Sequence, residues 1–230
     1  MTRVLYDLAG ADPAVRFSPY CWRARLALAH KGLPVETVPW RFTDKDAIAS
    51  SGQGRVPVLV DGGKTVSDSW AIAVYLEDAY PDRPSLFGGA GGRNVTRFVN
   101  AWADTTLNGG IIRLVVSDIA AIVHDKDKAY FRASREQRFG MPLEEVTAGR
   151  AERVKAFRET LLPLRHTLSA QPYLGGAEPA YADYIVFGSF QWARCCSGFE
   201  LLEPADPVAS WRERMLDRFD GLARRAPRAA

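Results

Sequence analysis

A change of hydrophobic period near residue 80 constrains this chain more than any other feature. Up to about residue 80, strand and helix signals alternate. Val4–Leu8 reads as a strand, Trp22–His30 as a helix with Gly32 suited to its C′ position, and Val35–Trp40 as a second strand. Thr43–Ser51 is polar and irregular. Val56–Val60, Gly62-Gly63 and Lys64–Ser67 have a hairpin pattern in which the glycines supply positive φ. Ile72, Val74, Tyr75 and Leu76 mark a helix over Ser69–Tyr80. The order βαβ–ββα predicts an α/β domain over residues 1–80, with helices on a small mixed sheet of four strands.

Residues 81–92, with Pro81, Pro84 and four glycines, read as a linker. From 93 to 223 the period is helical, which predicts an all-α helical bundle. Phe98, Ala101, Trp102, Thr105, Gly109, Ile112 and Val116 mark one long helix, and Leu143–Leu168 another that Pro163 should kink. Tyr184–Cys196 is apolar on nearly all sides, as a buried central helix is. Trp211–Leu222 is amphipathic, and residues 224–230 read as a frayed tail. Val123–Arg138 reads as a loop that would shape the pocket and that the sequence does not place.

Composition excludes several classes of partner. At 47% apolar and 25% charged residues, with a net charge of +3 over 230 residues, the chain reads as globular. Its arginines form no aromatic-interleaved stripe, which speaks against nucleic acid. No apolar run reaches the roughly 18–20 residues of a membrane span. Met1-Thr2-Arg3-Val4 enters a strand without a signal-peptide pattern, so a cytoplasmic location is expected. Three cysteines make no disulfide framework, and three histidines without paired spacing make no metal site.

Three short segments carry chemistry. Ser18-Pro19-Tyr20-Cys21 stands between the first strand and its helix, where glutaredoxin-like domains have Cys-Pro-Tyr-Cys. Ser18 in place of the first thiol cannot exchange disulfides, but its hydroxyl can donate to another molecule's thiolate at a helix N-terminus. Taken alone, Ser18 reads first as an N-cap, a place serine fills well. Val56-Pro57, if cis, would turn the Val56 backbone N–H and C=O outward to a peptide; the alternative is an ordinary trans edge proline. Asp68-Ser69 opens a helix and suits an α-amino acid, Asp68 taking the ammonium and Ser69 the carboxylate; the alternative is again a cap. Arg55 could pair with a second carboxylate; the alternative is an ordinary surface arginine. Taken in order, the segments match glutathione: an amino-acid head, a central thiol and a terminal carboxylate.

At these residues the sequence resembles the glutathione S-transferase superfamily. Arg55-Val56-Pro57-Val58-Leu59 is similar to the family's cis-proline segment, Asp68-Ser69-Trp70-Ala71-Ile72 to its γ-glutamyl motif, and Ala182-Asp183-Tyr184 to its second-domain folding motif. The folding motif lacks its usual Ser or Thr cap, since Ala180 stands there. Phe17–Arg23, Ala29-His30-Lys31-Gly32, Ser134-Arg135-Glu136-Gln137 and Ala148-Gly149-Arg150 are similar to bacterial β-etherases and fungal serine-type transferases, although Cys21 stands where β-etherases have an apolar residue. The resemblance implies a thioredoxin-like N-terminal domain, glutathione as co-substrate without a metal, a hydrophobic electrophile and a homodimer. It implies that Ser18 stabilises the thiolate and that Arg55, Val56, Pro57, Asp68 and Ser69 bind glutathione. Tyr20, Trp22, Trp102, Asn108 and Ile112 would line the electrophile pocket. Two other readings stay open: a non-catalytic glutathione or hydrophobic-ligand binder, and a thiol redox protein working through Cys21.

Overall fold

The computed structural model describes residues 2–228. Four strands, β1 (Arg3–Leu8), β2 (Glu36–Trp40), β3 (Val58–Asp61) and β4 (Lys64–Ser67), form a mixed sheet in the order β2-β1-β3-β4. β1 and β2 run parallel, joined by helix α1 (Pro19–His30), while β3 and β4 form the antiparallel hairpin turned by Gly62 and Gly63 at φ 57° and 89°. The thioredoxin-like α/β domain ends with α2 (Ser69–Ala79), and the irregular segment after β2 holds a short 3₁₀ turn, Lys45–Ser51.

The second half is all helical. α3 (Ala90–Trp102), one π turn (Ala103–Leu107) and α4 (Asn108–Ile122) form a continuous rod of 33 residues. The rod is long and apolar enough to cross a membrane, unlike any uninterrupted apolar run in the sequence. Its apolar side chains Ile111, Leu114, Val115, Val116 and Ile119 instead lie in the bundle core. The loop read over Val123–Arg138 is corrected: most of it is helix α5 (Asp125–Phe139), started by its own first-turn acids Asp125 and Asp127. The single kinked helix read over Leu143–Leu168 is corrected to α6 (Leu143–Thr147), α7 (Arg150–Glu159) and α8 (Leu162–Ala170). Gly149 breaks the run at φ 65°, and Pro163 sits in the first turn of α8, where its missing N–H costs no hydrogen bond.

α9 (Tyr181–Cys196) is buried along nearly its whole length, as its sequence requires, and packs against α1. Gly188 permits that approach: a Cβ there would lie 2.6 Å from the Pro19 carbonyl oxygen. Asp183 starts α9, accepting the Ala180, Leu174 and Gly175 amides at 3.0, 2.8 and 2.9 Å and the Trp211 indole N–H at 2.9 Å. Ala180 has no side-chain oxygen, so only the carboxylate half of the capping box forms. α10 (Pro207–Gly221) carries Trp211 into the core.

The frayed tail read over 224–230 is corrected in part. Arg194 donates to the Arg224 and Ala226 carbonyls, Gln191 donates to the Ala223 carbonyl, and Arg224 pairs with Asp217 and Glu213. Residues 229 and 230 lie outside the described part.

Candidate functional site

The turn from β1 into α1 places a hydroxyl at a helix start. Ser18 has the extended backbone of an N-cap, φ −71° and ψ 127°, and Pro19 is preorganised as the first helical residue. The Ser18 Oγ accepts the Cys21 amide at 3.3 Å. Capping uses a lone pair and leaves the hydroxyl proton free, so cap and donor coexist in one side chain. Ser18 is 4% exposed and lines a cavity of about 470 Å³ between the sheet domain and the helical domain.

The Val56–Pro57 bond is cis. Neither the N–H nor the C=O of Val56 has a hydrogen-bond partner among the described residues, so both are available to a peptide-like ligand. Arg55 and Val56 line the same cavity as Ser18. The Pro57 carbonyl accepts the Asp68 amide at 3.3 Å, which ties the third segment to the second. Asp68 adopts φ 79° and ψ 133°, a conformation that costs a non-glycine residue about 1–3 kcal/mol. Its Oδ1 caps α2 through the Trp70 and Ala71 amides, and Oδ2 makes no bond among the described residues. Ser69 is buried, and its carbonyl accepts the Tyr181 hydroxyl at 2.7 Å, locking the start of α2 to α9. Asp68 and Ser69 adjoin the cis-proline segment but do not line the cavity.

The helical domain supplies the rest of the cavity. Tyr20, Asn108 and Ile112, three of the residues expected to line an electrophile pocket, line this cavity with Gly109 beside them. Burial raises the Tyr20 phenol above its ordinary value, so it stays a neutral donor near pH 7. The π turn brings Asp104 to the wall, where Arg23 holds it at 2.8 Å; Arg23 also stacks 4.7 Å over the Tyr20 ring.

Two residues read as pocket lining lie elsewhere. Trp22 is fully buried on the core side of α1, its indole N–H donating to the Arg16 carbonyl at 2.9 Å. Trp102 faces a separate cavity with His30, Phe87 and Leu164. Both lie on helices of the site but on the wrong face, and sequence position alone does not resolve helix rotation about a tertiary contact. Cys21 also points inward: it is fully buried, and burial pushes its thiol well above the ordinary value. Cys195 and Cys196 are buried in α9.

Sequence reading missed one wall. Tyr130, Phe131, Ser134, Arg135 and Arg138 of α5 line the cavity together with Trp40, Phe42 and Lys45. Asp127 docks α5 there by accepting the Phe42 and Thr43 amides at 2.9 and 3.1 Å. The helical spacing of Tyr130, Ser134 and Arg138 was the available signal.

Both domains have counterparts among known proteins. Residues 13–84 match the model of the glutathione S-transferase N-terminal domain, and residues 95–220 that of its C-terminal domain. The chain is 31% identical over 206 residues to the probable glutathione S-transferase GSTU6 of Oryza sativa subsp. japonica, covering 86% of this chain and 80% of the relative. It superposes on glutathione transferase GSTFuA3 from Phanerochaete chrysosporium with a TM-score of 0.78 and 26% identity, over 96% of this chain and 92% of that one. The glutathione S-transferase CsGST63524 of Ceriporiopsis subvermispora, solved in complex with glutathione, shares the fold at a TM-score of 0.78 and 24% identity, over 98% and 95% of the two chains.

Proposed function

Because the chain belongs to the glutathione S-transferase family, we propose that it is a serine-type transferase in which Ser18 holds the glutathione thiolate for attack on an electrophilic aromatic or aryl-ether substrate. One observation carries this reading: Ser18, whose hydroxyl oxygen caps α1 and can still donate its proton, lines the cavity that also contains Val56.

The energetics are sufficient. Lowering a thiol from about 8.5 by about 2 units needs roughly 2.7 kcal/mol of preference for the thiolate. A hydrogen bond to a charged acceptor supplies about 1.5–3 kcal/mol, and the N-terminus of α1 about 0.3–1 kcal/mol more. No side-chain base is required. Glutathione would align its backbone with Val56, place its γ-glutamyl end at Asp68 and Ser69, and direct its glycine carboxylate to Arg55. The thiol proton leaves to solvent. The thiolate then forms a carbon–sulfur bond, and the leaving group, a halide or a phenolate, departs with the electron pair of the broken bond. β-Aryl ether cleavage is one such displacement, supported by the Phe17–Arg23 and Ser134–Gln137 likeness. A homodimer belongs to the same reading, and the exposed Val95 and Phe98 of α3 offer it apolar surface.

The test is the thiolate absorbance of bound glutathione across pH in the wild type and Ser18→Ala, with turnover of an aryl halide and a β-aryl ether. A depressed thiol pKa that is lost in the variant together with turnover supports the reading. An unchanged pKa and rate would reduce Ser18 to a cap.

A further inference from the structure

The cavity holds more positive charge than glutathione accounts for. Lys45, Arg55, Arg135 and Arg138 line it against one acid, Asp104, which is already paired with Arg23. Among the described residues none of the four cations makes an ion pair. Lys45 donates to the Gly54 carbonyl at 2.6 Å and lies over the Trp40 ring. It stands with Arg55 in the sheet domain near Val56, where the glycine carboxylate of glutathione would end.

Arg135 and Arg138 belong to the other domain, one helical turn apart on α5. Arg135 is half-buried, its guanidinium 4.7 Å from the Phe131 ring centre and 5.3 Å from that of Phe42. Its one polar partner is the Ser134 hydroxyl at 2.9 Å. Burial and the neighbouring charges of Arg138 and Arg55 disfavour its charged form. Grouped like charges without a counter-ion repel one another, and an anionic ligand placed among them offsets that repulsion.

We propose that Arg135 and Arg138 bind an ionised carboxylate on the second substrate, so that the electrophile is an aromatic acid whose ring lies among Phe42, Tyr130 and Phe131. The planar fork of Arg135 matches a carboxylate bidentately, and the flanking rings fix its plane as they would stack the substrate. This rests on the transferase reading for its reaction, but the anion site is a binding property and can be measured separately.

The probes are 4-chloro-3-nitrobenzoate and the near-isosteric neutral 4-chloro-3-nitrobenzamide, which lose chloride to glutathione by the same displacement, together with the two finished glutathione conjugates as unreactive ligands. The wild type should prefer the carboxylate at least about tenfold in kcat/KM and in conjugate Kd. In Arg135→Gln/Arg138→Gln the ratio should fall toward one, and Arg135→Lys should restore part of it. Equal use of the two probes by the wild type, or a preference that survives the double variant, overturns the proposal. So does a loss of glutathione affinity as large as the loss of preference, which would assign the arginines to glutathione itself. If neither acceptor turns over but the carboxylate conjugate still binds preferentially through these arginines, the transferase reading fails and the anion site stands. Should Arg135→Gln unfold, the exposed Arg138→Gln alone must lower the preference at least about threefold; an unchanged ratio overturns the proposal.

Discussion

The Ser18 hydroxyl oxygen accepts the Cys21 amide at 3.3 Å, so the residue that caps α1 is also one that lines the cavity. Structural and chemical roles in such a residue must be separated by choice of substitution. Ser18→Ala removes both, costing about 1 kcal/mol of stability and about 10–100-fold in kcat/KM. Ser18→Cys puts a thiol at the helix N-terminus. It should lose conjugation and gain a mixed disulfide with oxidised glutathione, read by mass spectrometry.

The three thiols should be silent. Cys21, Cys195 and Cys196 are buried, and burial pushes each thiol up, Cys195 to about 12. A thiol reagent at pH 8 should label none of them in the native protein and all three in denaturant. Cys21→Ala should keep glutathione turnover within about threefold. Rapid native labelling of Cys21 would revive a redox role.

His30 couples stability to pH. Its Nδ1 meets the Tyr184 hydroxyl at 2.6 Å and its Nε2 the Ser85 carbonyl at 3.0 Å, which joins α1, the linker and α9. The carbonyl can only accept, so Nε2 carries the proton and Nδ1 accepts from the phenol. Burial lowers the His30 pKa below 6.5, so below that pH the unfolded chain binds more protons than the native one. Stability tied to His30 is therefore present above about 6.5 and is lost as pH falls toward the depressed native value. Thermal melts from pH 8 to 5.5 should fall more steeply in the wild type than in His30→Gln.

The unfinished cap of α9 can be completed. Ala180 has the extended φ −124° and ψ −175° of an N-cap but no oxygen to offer. Ala180→Ser should stabilise by about 0.5–1 kcal/mol, raising Tm by about 1–4 °C. Asp183→Ala should cost about 3 kcal/mol or more, because three backbone amides and the Trp211 indole lose their common acceptor in the core. A melt of Asp183→Ala within 2 °C of the wild type would refute that accounting.

Local chemistry determined much of this protein. The period change near residue 80 separated sheet from bundle, and the Ser18, Val56-Pro57 and Asp68-Ser69 segments announced themselves because caps, turns and proline act within a few residues of chain. Side-chain rotation and long-range docking lay beyond such signals. Trp22 and Trp102 sit on site helices yet face away from the cavity, since burial against α9 in one case and a second cavity in the other set the faces. The α5 wall with Arg135 and Arg138 depends on Asp127 catching the Phe42–Thr43 backbone some 84 residues away in sequence. Only the tertiary structure brings those arginines to Ser18, because charge clustering in a shared cavity depends on distance in space, which spacing along the chain does not encode.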